Sequence, residues 1–475
     1  MDCRSLFPFE KVPPGAKVLI YGCTSLGMDY WQQLLVTHYA KCLGFLDRKA
    51  KQYAKLPVPI YLPEQAGDMD VDYVVIALLT PAQWQTVESS LLSAGVEQER
   101  LVFGGFREEL PQTELISYKA LDVGVCNSCA YETGRTAIAV KFNSALGDNI
   151  IRKSVVVALA KLAPDCAIDI YSPVASSVLR SLYYGDDHIN SFTDDGGWLY
   201  QGRMKNYDLA LRIETLPPDV DWLNEGIAKK EPALYEAMCA YREYYHGETA
   251  DPEKSTFINV NRALFLGQNC YTALNGGVLD IKNMDVAIRL DPNFKEQYVN
   301  LNLDSSYITF GCAAGAGISA QTGGYKQWPL DSWQEFLQKF KSKYAGIKIV
   351  QLGAKGVPKL KSVDTYLLGE DLRLVQYALK GALCHVDIES GLVHLATQLG
   401  TRCVVLVGPT QQEFWCYPQN ISVSKGDCSS CYGLYNGDVR CAKGSAQPIC
   451  MASIKPSDVI TAVSKCLAER NDNSV

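Results

Sequence analysis

The chain has 475 residues, 47% of them hydrophobic and 20% charged, a composition that fits a globular protein of two or three domains better than one compact core. Its formal net charge of -7 argues against a general nucleic-acid binder, and no apolar run of about 18 residues is present to cross a membrane. The start, MDCRSLFPFEKVPPGAK, has no signal-peptide core, which points to the cytoplasm, where the 17 cysteines are expected to be buried thiols or metal ligands.

The first segment reads as alternating strands and helices. Lys17–Gly22 (KVLIYG) is an apolar strand, CTSLGMDYWQQLLVTHY a turn and helix, and Lys41–Arg48 a second strand. Asp72–Leu79 is a further buried strand, PAQWQTVESSLLSAG a helix, and RLVFGG a short strand, the unit ending near residue 110. A second series begins at Thr136–Phe142 (TAIAVKF), passes through the loop NSALGDN into the helix IIRKSVVVALAKLAP, and returns as the strands CAIDIYSP and Tyr207–Ile213. Residues 219–300 are Tyr-rich and more helical. A third series runs from Ser306–Gly317 through the helix WPLDSWQEFLQKFKSKY, whose Leu330, Trp333, Phe336, Leu337 and Phe340 share one face. It continues as strand IKIVQLG, helix LRLVQYALKGA, strand LCHVDI, helix and β-branched strand ending in Gly-Pro-Thr, and a last helix KPSDVITAVSKCLAER. Strands alternating with helices call for parallel sheets covered on both faces.

Several turns carry chemistry. GCTSLG (Gly22–Gly27), with Asp47 at the end of the next strand, partly matches a dinucleotide fingerprint, but Thr24 stands where the middle glycine belongs, so no nucleotide cofactor is assigned to the first domain. In NSALGDN, Asp148 lies at or near a helix N-terminus, as a cap or as a general base. Lys326 precedes the helix begun by Pro329, a place unfavourable to a cation unless an anion lies between them. Glu389, Ser390 and Gly391 precede the helix that holds His394; they are caps, or the polar rim of a ligand at the strand ends. Cys428, Cys431, Cys441 and Cys450, spaced C-x2-C-x9-C-x8-C, suit a structural zinc or iron, with disulfides the alternative that a cytoplasmic compartment disfavours. The pair Cys126 and Cys129 reads as free thiols.

Three stretches in this order, KFNSALGDNIIRKSVVVALAKLAPDCAIDIYSP, KQWPLDSW and ESGLVHLATQLGTRCVVLVGPT, resemble the heptosyltransferase-like glycosyltransferases of family nine, over about residues 135–465. The resemblance implies an α/β chain with the GT-B fold, two Rossmann-like domains facing across a cleft. It implies an inverting transfer of a sugar, a heptose from ADP-heptose, without a divalent metal for the transfer. Asp148 matches the family's catalytic base and Lys326 the lysine on the donor phosphates. Glu389, Ser390, Gly391 and His394 match the donor motif D-T/S-G-x-x-H, with Glu where Asp is usual, and Thr410 of GPT is counted with the donor site. The cysteine cluster resembles that of bacterial autotransporter heptosyltransferases, a group with an iron-binding cluster. The domains expected are a Rossmann-like accessory domain (1–110), a linker (111–134), an acceptor-side domain (135–300) and a donor-binding domain (301–475) with the metal site at 428–450. The partners implied are a nucleotide-sugar donor and a glycan, lipopolysaccharide core or protein hydroxyl as acceptor, in a bacterial cytoplasm, compatible with peripheral membrane association and with homo-oligomers. Two other functions fit the same sequence: a catalytically silent sugar-nucleotide or glycan binder, and an NAD-dependent oxidoreductase built on the first domain.

Overall fold

A computed structural model of the chain describes residues 7–472 apart from 49, 51–57, 79–83, 104–128, 143–144, 175, 195–197, 214–217, 246–259, 261, 304–305, 313–325, 426–427, 429, 432–440, 442, 444 and 446–447. Cys126, most of the expected linker, Asn143 and Ser144 of NSALGDN, and residues 313–317 at the end of the Ser306–Gly317 stretch lie outside the described residues. The chain divides into two compact units, Met1–Asn127 with Asp195–Asn206, and Ser128–Asp194 with Tyr207–Val475. No described helix is long and apolar enough to cross a membrane.

The first unit is one parallel sheet of β1 (Lys17–Tyr21), β2 (Lys41–Leu46), β3 (Ile60–Tyr61), β4 (Tyr73–Ile76) and β5 (Leu101–Phe103), in the order β3-β2-β1-β4-β5. Side chains alternate along β1. Val18 and Ile20 enter one hydrophobic cluster and Leu19 and Tyr21 the other. Both faces are therefore covered, which is why the strand reads as one apolar run.

The second unit holds two sheets. One consists of β6 (Thr136–Phe142), β7 (Cys166–Ser172), β8 (Ile189–Asp194), β9 (Leu209–Ile213) and β10 (Asp219–Leu223), ordered β10-β9-β6-β7-β8, with β10 antiparallel at the edge. The other is fully parallel: β11 (Tyr307–Gly311), β12 (Lys348–Gly353), β13 (Thr365–Leu368), β14 (His385–Ile388), β15 (Cys403–Leu406) and β16 (Ile421–Val423), ordered β13-β12-β11-β14-β15-β16. The chain is thus α/β with three Rossmann-like sheets, two of them sharing a unit as a GT-B arrangement requires. One hydrophobic cluster runs without a break from Ile138 and Val140 of β6 to Val350, Leu352 and Val405 on one face of the third sheet. The other face of that sheet, with Ile308, Phe310, Val386 and Val404, packs on the helix α1 (Leu330–Lys343) through Trp333, Phe336, Leu337 and Phe340. Leu330, expected on that face, is 40% exposed instead, because it opens the helix beyond the sheet-covered turns. The edge strands β3, β8, β10, β13 and β16 were not anticipated from the sequence; they are short, and β8 (INSFTD) and β10 (DVDWL) are rich in polar residues.

Candidate active site

In open α/β sheets the strand order reverses where two adjacent strands send their connections to opposite sides, and the crevice at their carboxyl ends is the usual ligand position. In the third sheet that point lies between β11 and β14. β14 is followed directly by Glu389, Ser390 and the helix α2 (Gly391–Gln398). Buried Asp387 anchors the turn. Its carboxylate accepts from the Ile388 N–H at 2.7 Å and from the Ser390 hydroxyl at 2.7 Å. Ser390 occupies the N-cap position of α2 but makes no side-chain cap bond, so its hydroxyl serves Asp387 and leaves the helix N–H groups free of that cap. Gly311 is required opposite: a Cβ there would lie 2.4 Å from an Asp387 oxygen.

Glu389 and His394 are buried, at 7% and 3% exposure. One Glu389 oxygen takes the Lys326 ammonium in an ion pair, and the other lies 3.5 Å from His394 Nε2. Burial pushes the Glu389 carboxyl up, but Lys326 and His394 together outweigh it and hold it down at about 2. The cation that the sequence placed awkwardly ahead of a helix is thus neutralised by a carboxylate 63 residues away in the chain.

The second sheet contributes from its own switch point, between β6 and β9. The helix after β6, α3, spans Leu146–Leu162 and starts one turn earlier than the sequence suggested. Ala145 is its N-cap and makes no side-chain bond. Asp148 is therefore not the cap; it sits in the first turn, where helix N–H groups favour a carboxylate, 3.3 Å from Arg152 Nη1 and 27% exposed. This helix and α2 meet at their N-terminal ends through two glycines. A Cβ on Gly147 would lie 2.8 Å from His394 Cδ2, and one on Gly391 would lie 2.9 Å from Leu146 Cβ and 3.0 Å from the Gly147 nitrogen. The contact brings Asp148 from one sheet to the Glu389–His394 side of the other.

Beside this contact lies a cavity of about 800 Å³, lined among others by Gly147, Ser390, Gly391, Lys355, Glu370 and Asp371. Two helix N-termini and Lys355 favour an anionic group on that part of the lining, while Glu370 and Asp371 give the rest acceptors for hydroxyls. Of the expected site residues, Ser390 and Gly391 line it; Asp148, Lys326, Glu389, His394 and Thr410 do not. Thr410 is 1% exposed, and its hydroxyl finds no partner among the described residues. Lys355, Glu370, Asp371 and Asp387 were missed in the sequence. The signal available for them was position alone, since each follows or ends a parallel strand of the third sheet.

Cys428, Cys431 and Cys441 are half-buried and Cys450 buried, and none of the four is in a disulfide. Burial, and then the charges of Cys428, Cys431 and Cys441, push the Cys450 thiol up to about 11. The Ile449 N–H on its sulfur leads the causes that lower the Cys441 thiol, with the Lys443 and Ser445 N–H groups adding to it, as a thiolate ligand would require. The knuckle is tied to the Gly-Pro-Thr turn: the Ser430 N–H donates to the Gly408 carbonyl at 3.1 Å, and a Cβ on Gly408 would lie 3.0 Å from Cys450 Sγ. Among the described residues no group of three or more His, Cys, Asp or Glu is already placed to hold a metal ion. In the first unit, Asp47 takes the Cys23 N–H at 2.9 Å and Thr24 caps the following helix through the Gly27 N–H at 3.2 Å. The acid and the threonine of the partial fingerprint thus bind their own turn.

No protein-family model matches the chain, and no curated protein matches it. Solved structures of similar shape include the ADP-heptose lipopolysaccharide heptosyltransferase II of E. coli, 16% identical, covering 70% of this chain and 99% of its own, with a TM-score of 0.46. The iron-containing dodecameric glycosyltransferase TibC of enterotoxigenic E. coli is 16% identical over 70% of this chain and 77% of its own, with a TM-score of 0.47. A family 9 glycosyl transferase of Veillonella parvula is 16% identical over 70% and 97%, with a TM-score of 0.42. The fold assignment rests on the sheet orders above and not on these likenesses.

Proposed function

We propose that the chain is an inverting glycosyltransferase that moves a sugar, a heptose from ADP-heptose, onto a hydroxyl of a glycan, a lipopolysaccharide core or a protein. The observation that carries this reading is the meeting of two switch points through Gly147 and Gly391. It sets an acid on one sheet against a lysine–glutamate–histidine group on the other, beside a cavity large enough for a nucleotide sugar. The three sequence stretches that resemble family nine glycosyltransferases contain these same residues.

In this mechanism Asp148 takes the proton of the acceptor hydroxyl as its oxygen attacks the anomeric carbon. The bond from that carbon to the diphosphate oxygen breaks, and the nucleoside diphosphate leaves with the electron pair. Lys326 and the N–H groups at the start of α2 stabilise the charge that grows there. Lys326 reaches the diphosphate by leaving Glu389, which keeps His394 Nε2 at 3.5 Å. Glu370, which lines the cavity, meets the nucleoside hydroxyls. Packing of the two sheets around the ligand excludes the water that would hydrolyse the donor.

We further propose that Cys428, Cys431, Cys441 and Cys450 hold one zinc or iron ion in a structural role, supported by their spacing C-x2-C-x9-C-x8-C and by the ties of the Ser430 N–H and of Cys450 to the Gly408 turn. Such an ion would fasten the Gly-Pro-Thr turn that carries Thr410, and it takes no part in the transfer. The experiment that tests the function is a panel of nucleotide sugars, read by thermal stabilisation and by nucleoside diphosphate release. ADP-heptose should stabilise the protein and release ADP. A protein stabilised but never releasing ADP, with any acceptor, is a silent binder; one stabilised only by NAD is an oxidoreductase candidate.

A further inference from the structure

His394 is joined to the core by a chain of hydrogen bonds whose directions can be worked out in turn. Gln398 sets the first. Its Oε1 accepts from the Val286 N–H at 2.8 Å, so the other end of the amide is the NH2 group. That group donates to the Met284 carbonyl at 3.0 Å and to the Tyr271 hydroxyl at 3.1 Å, with the Tyr417 hydroxyl further off at 3.4 Å. Tyr271 therefore accepts from Gln398 and has one hydrogen left to give. Its neighbour is the Tyr417 hydroxyl at 2.7 Å. Tyr417 in turn lies 2.8 Å from His394 Nδ1. Burial pushes both phenols up, so both keep their hydrogens.

The reverse arrangement fails at both ends. If His394 Nδ1–H donated to Tyr417, and Tyr417 to Tyr271, the Tyr271 hydrogen would face only the Gln398 NH2 group and have no acceptor among the described residues. Tyr271 is fully buried, so that hydrogen would be lost to water and protein alike. At the other end, an unprotonated Nε2 would turn its lone pair toward the Glu389 carboxylate.

We propose that Gln398, Tyr271 and Tyr417 form a one-way relay that holds His394 as its Nε2–H tautomer, with that hydrogen directed at Glu389. These three are positioning residues: none belongs to the cleft wall, and they act through His394. The consequence for catalysis rests on the glycosyltransferase reading. When the donor diphosphate draws Lys326 away, Glu389 is left buried and charged, and a histidine fixed in this tautomer still donates to it. The relay also ties the Tyr-rich stretch after residue 219 to the donor side, since Tyr271, Met284 and Val286 all lie in it.

The test is nitrogen-detected proton correlation on protein labelled in its 5 histidines, assigned with His394→Gln, at about pH 8 where an ordinary imidazole is neutral. The spectrum should give a protonated, pyrrole-like Nε2 and an unprotonated, pyridine-like Nδ1 for His394. In Tyr417→Phe the Nδ1 signal should move toward the average of the two types, as the Nδ1–H tautomer becomes populated, with the other four histidines unchanged. Donor KM should rise several-fold more than kcat falls. A wild-type His394 protonated on Nδ1 overturns the proposal, and so does a folded Tyr417→Phe variant with an unaltered tautomer. The wild-type spectrum decides the tautomer even where the variant does not fold. A correct tautomer in a protein that handles no nucleotide sugar leaves the relay standing and sinks the glycosyltransferase reading.

Discussion

Glu389 is charged because of what surrounds it. Its carboxyl, ordinarily near 4.5, is held down to about 2. A carboxyl lowered on folding stabilises the protein above its unfolded value, and that contribution is lost as pH falls through the folded one. The window is therefore about pH 4.5 to 2. Denaturant unfolding of wild type and Glu389→Gln at stepped pH should give a difference that is largest above pH 4.5 and shrinks below it; a difference flat with pH would remove the ion pair as its source. The partner makes a separate prediction. Lys326→Ala should weaken ADP binding by about 1.5–3 kcal/mol, the range for a charge-assisted hydrogen bond, as read by calorimetry. Unchanged affinity together with unchanged turnover would take Lys326 out of the site. Single residues at the site were legible where they flank a strand end: Asp148, Lys326, Glu389 and His394 all stand beside turns. Their partners were not. Glu389 and Lys326 are 63 residues apart, and Tyr271 and Tyr417 are 146 apart. Such pairings are made by the tertiary fold and leave no local pattern.

At the scale of elements, the site depends on how closely two helix ends approach. Gly147 and Gly391 are helical, so their value lies in the missing Cβ and not in backbone freedom. Gly147→Ala would press a methyl on the His394 ring, and Gly391→Ala on Leu146 and the Gly147 backbone. Each should cost about 1–3 kcal/mol, the usual penalty for overpacking. Each should also lower transfer by more than the loss of folded protein explains, because the acid and the donor group are pushed apart. Chemical denaturation with turnover per folded molecule measures both; full activity in either variant would show that the two ends need not touch. The helices and central strands were legible because parallel strands covered on both faces read as unbroken apolar runs, as in KVLIY and TAIAVKF. The edge strands were not, because β8 and β10 pair on one side only and tolerate polar residues. The start of the helix at Leu146 was misjudged because its cap, Ala145, carries no capping side chain to announce it.

For the whole molecule, the alternation of strands and helices announces three Rossmann-like sheets, and the switch-point rule says where on each a ligand belongs. It does not reveal that two of the sheets share a continuous core, since that depends on faces meeting and not on any one segment. The cysteine cluster bears on the same scale. Cys431→Ser should release the proposed ion and lower the thermal midpoint, since binding a metal to a folded site is part of the folding free energy. Elemental analysis of protein purified without chelator or nickel resin checks it, and less than about a tenth of an ion per chain would contradict a structural site that should stay occupied. If Asp148 is the base of a glycosyl transfer, the decisive measurement is ADP release from ADP-heptose with acceptor, together with donor affinity, in wild type and Asp148→Asn. Asparagine keeps the shape but cannot take the proton. Turnover should be abolished while donor affinity stays within a few-fold; near wild-type turnover in the variant would rule Asp148 out as the base.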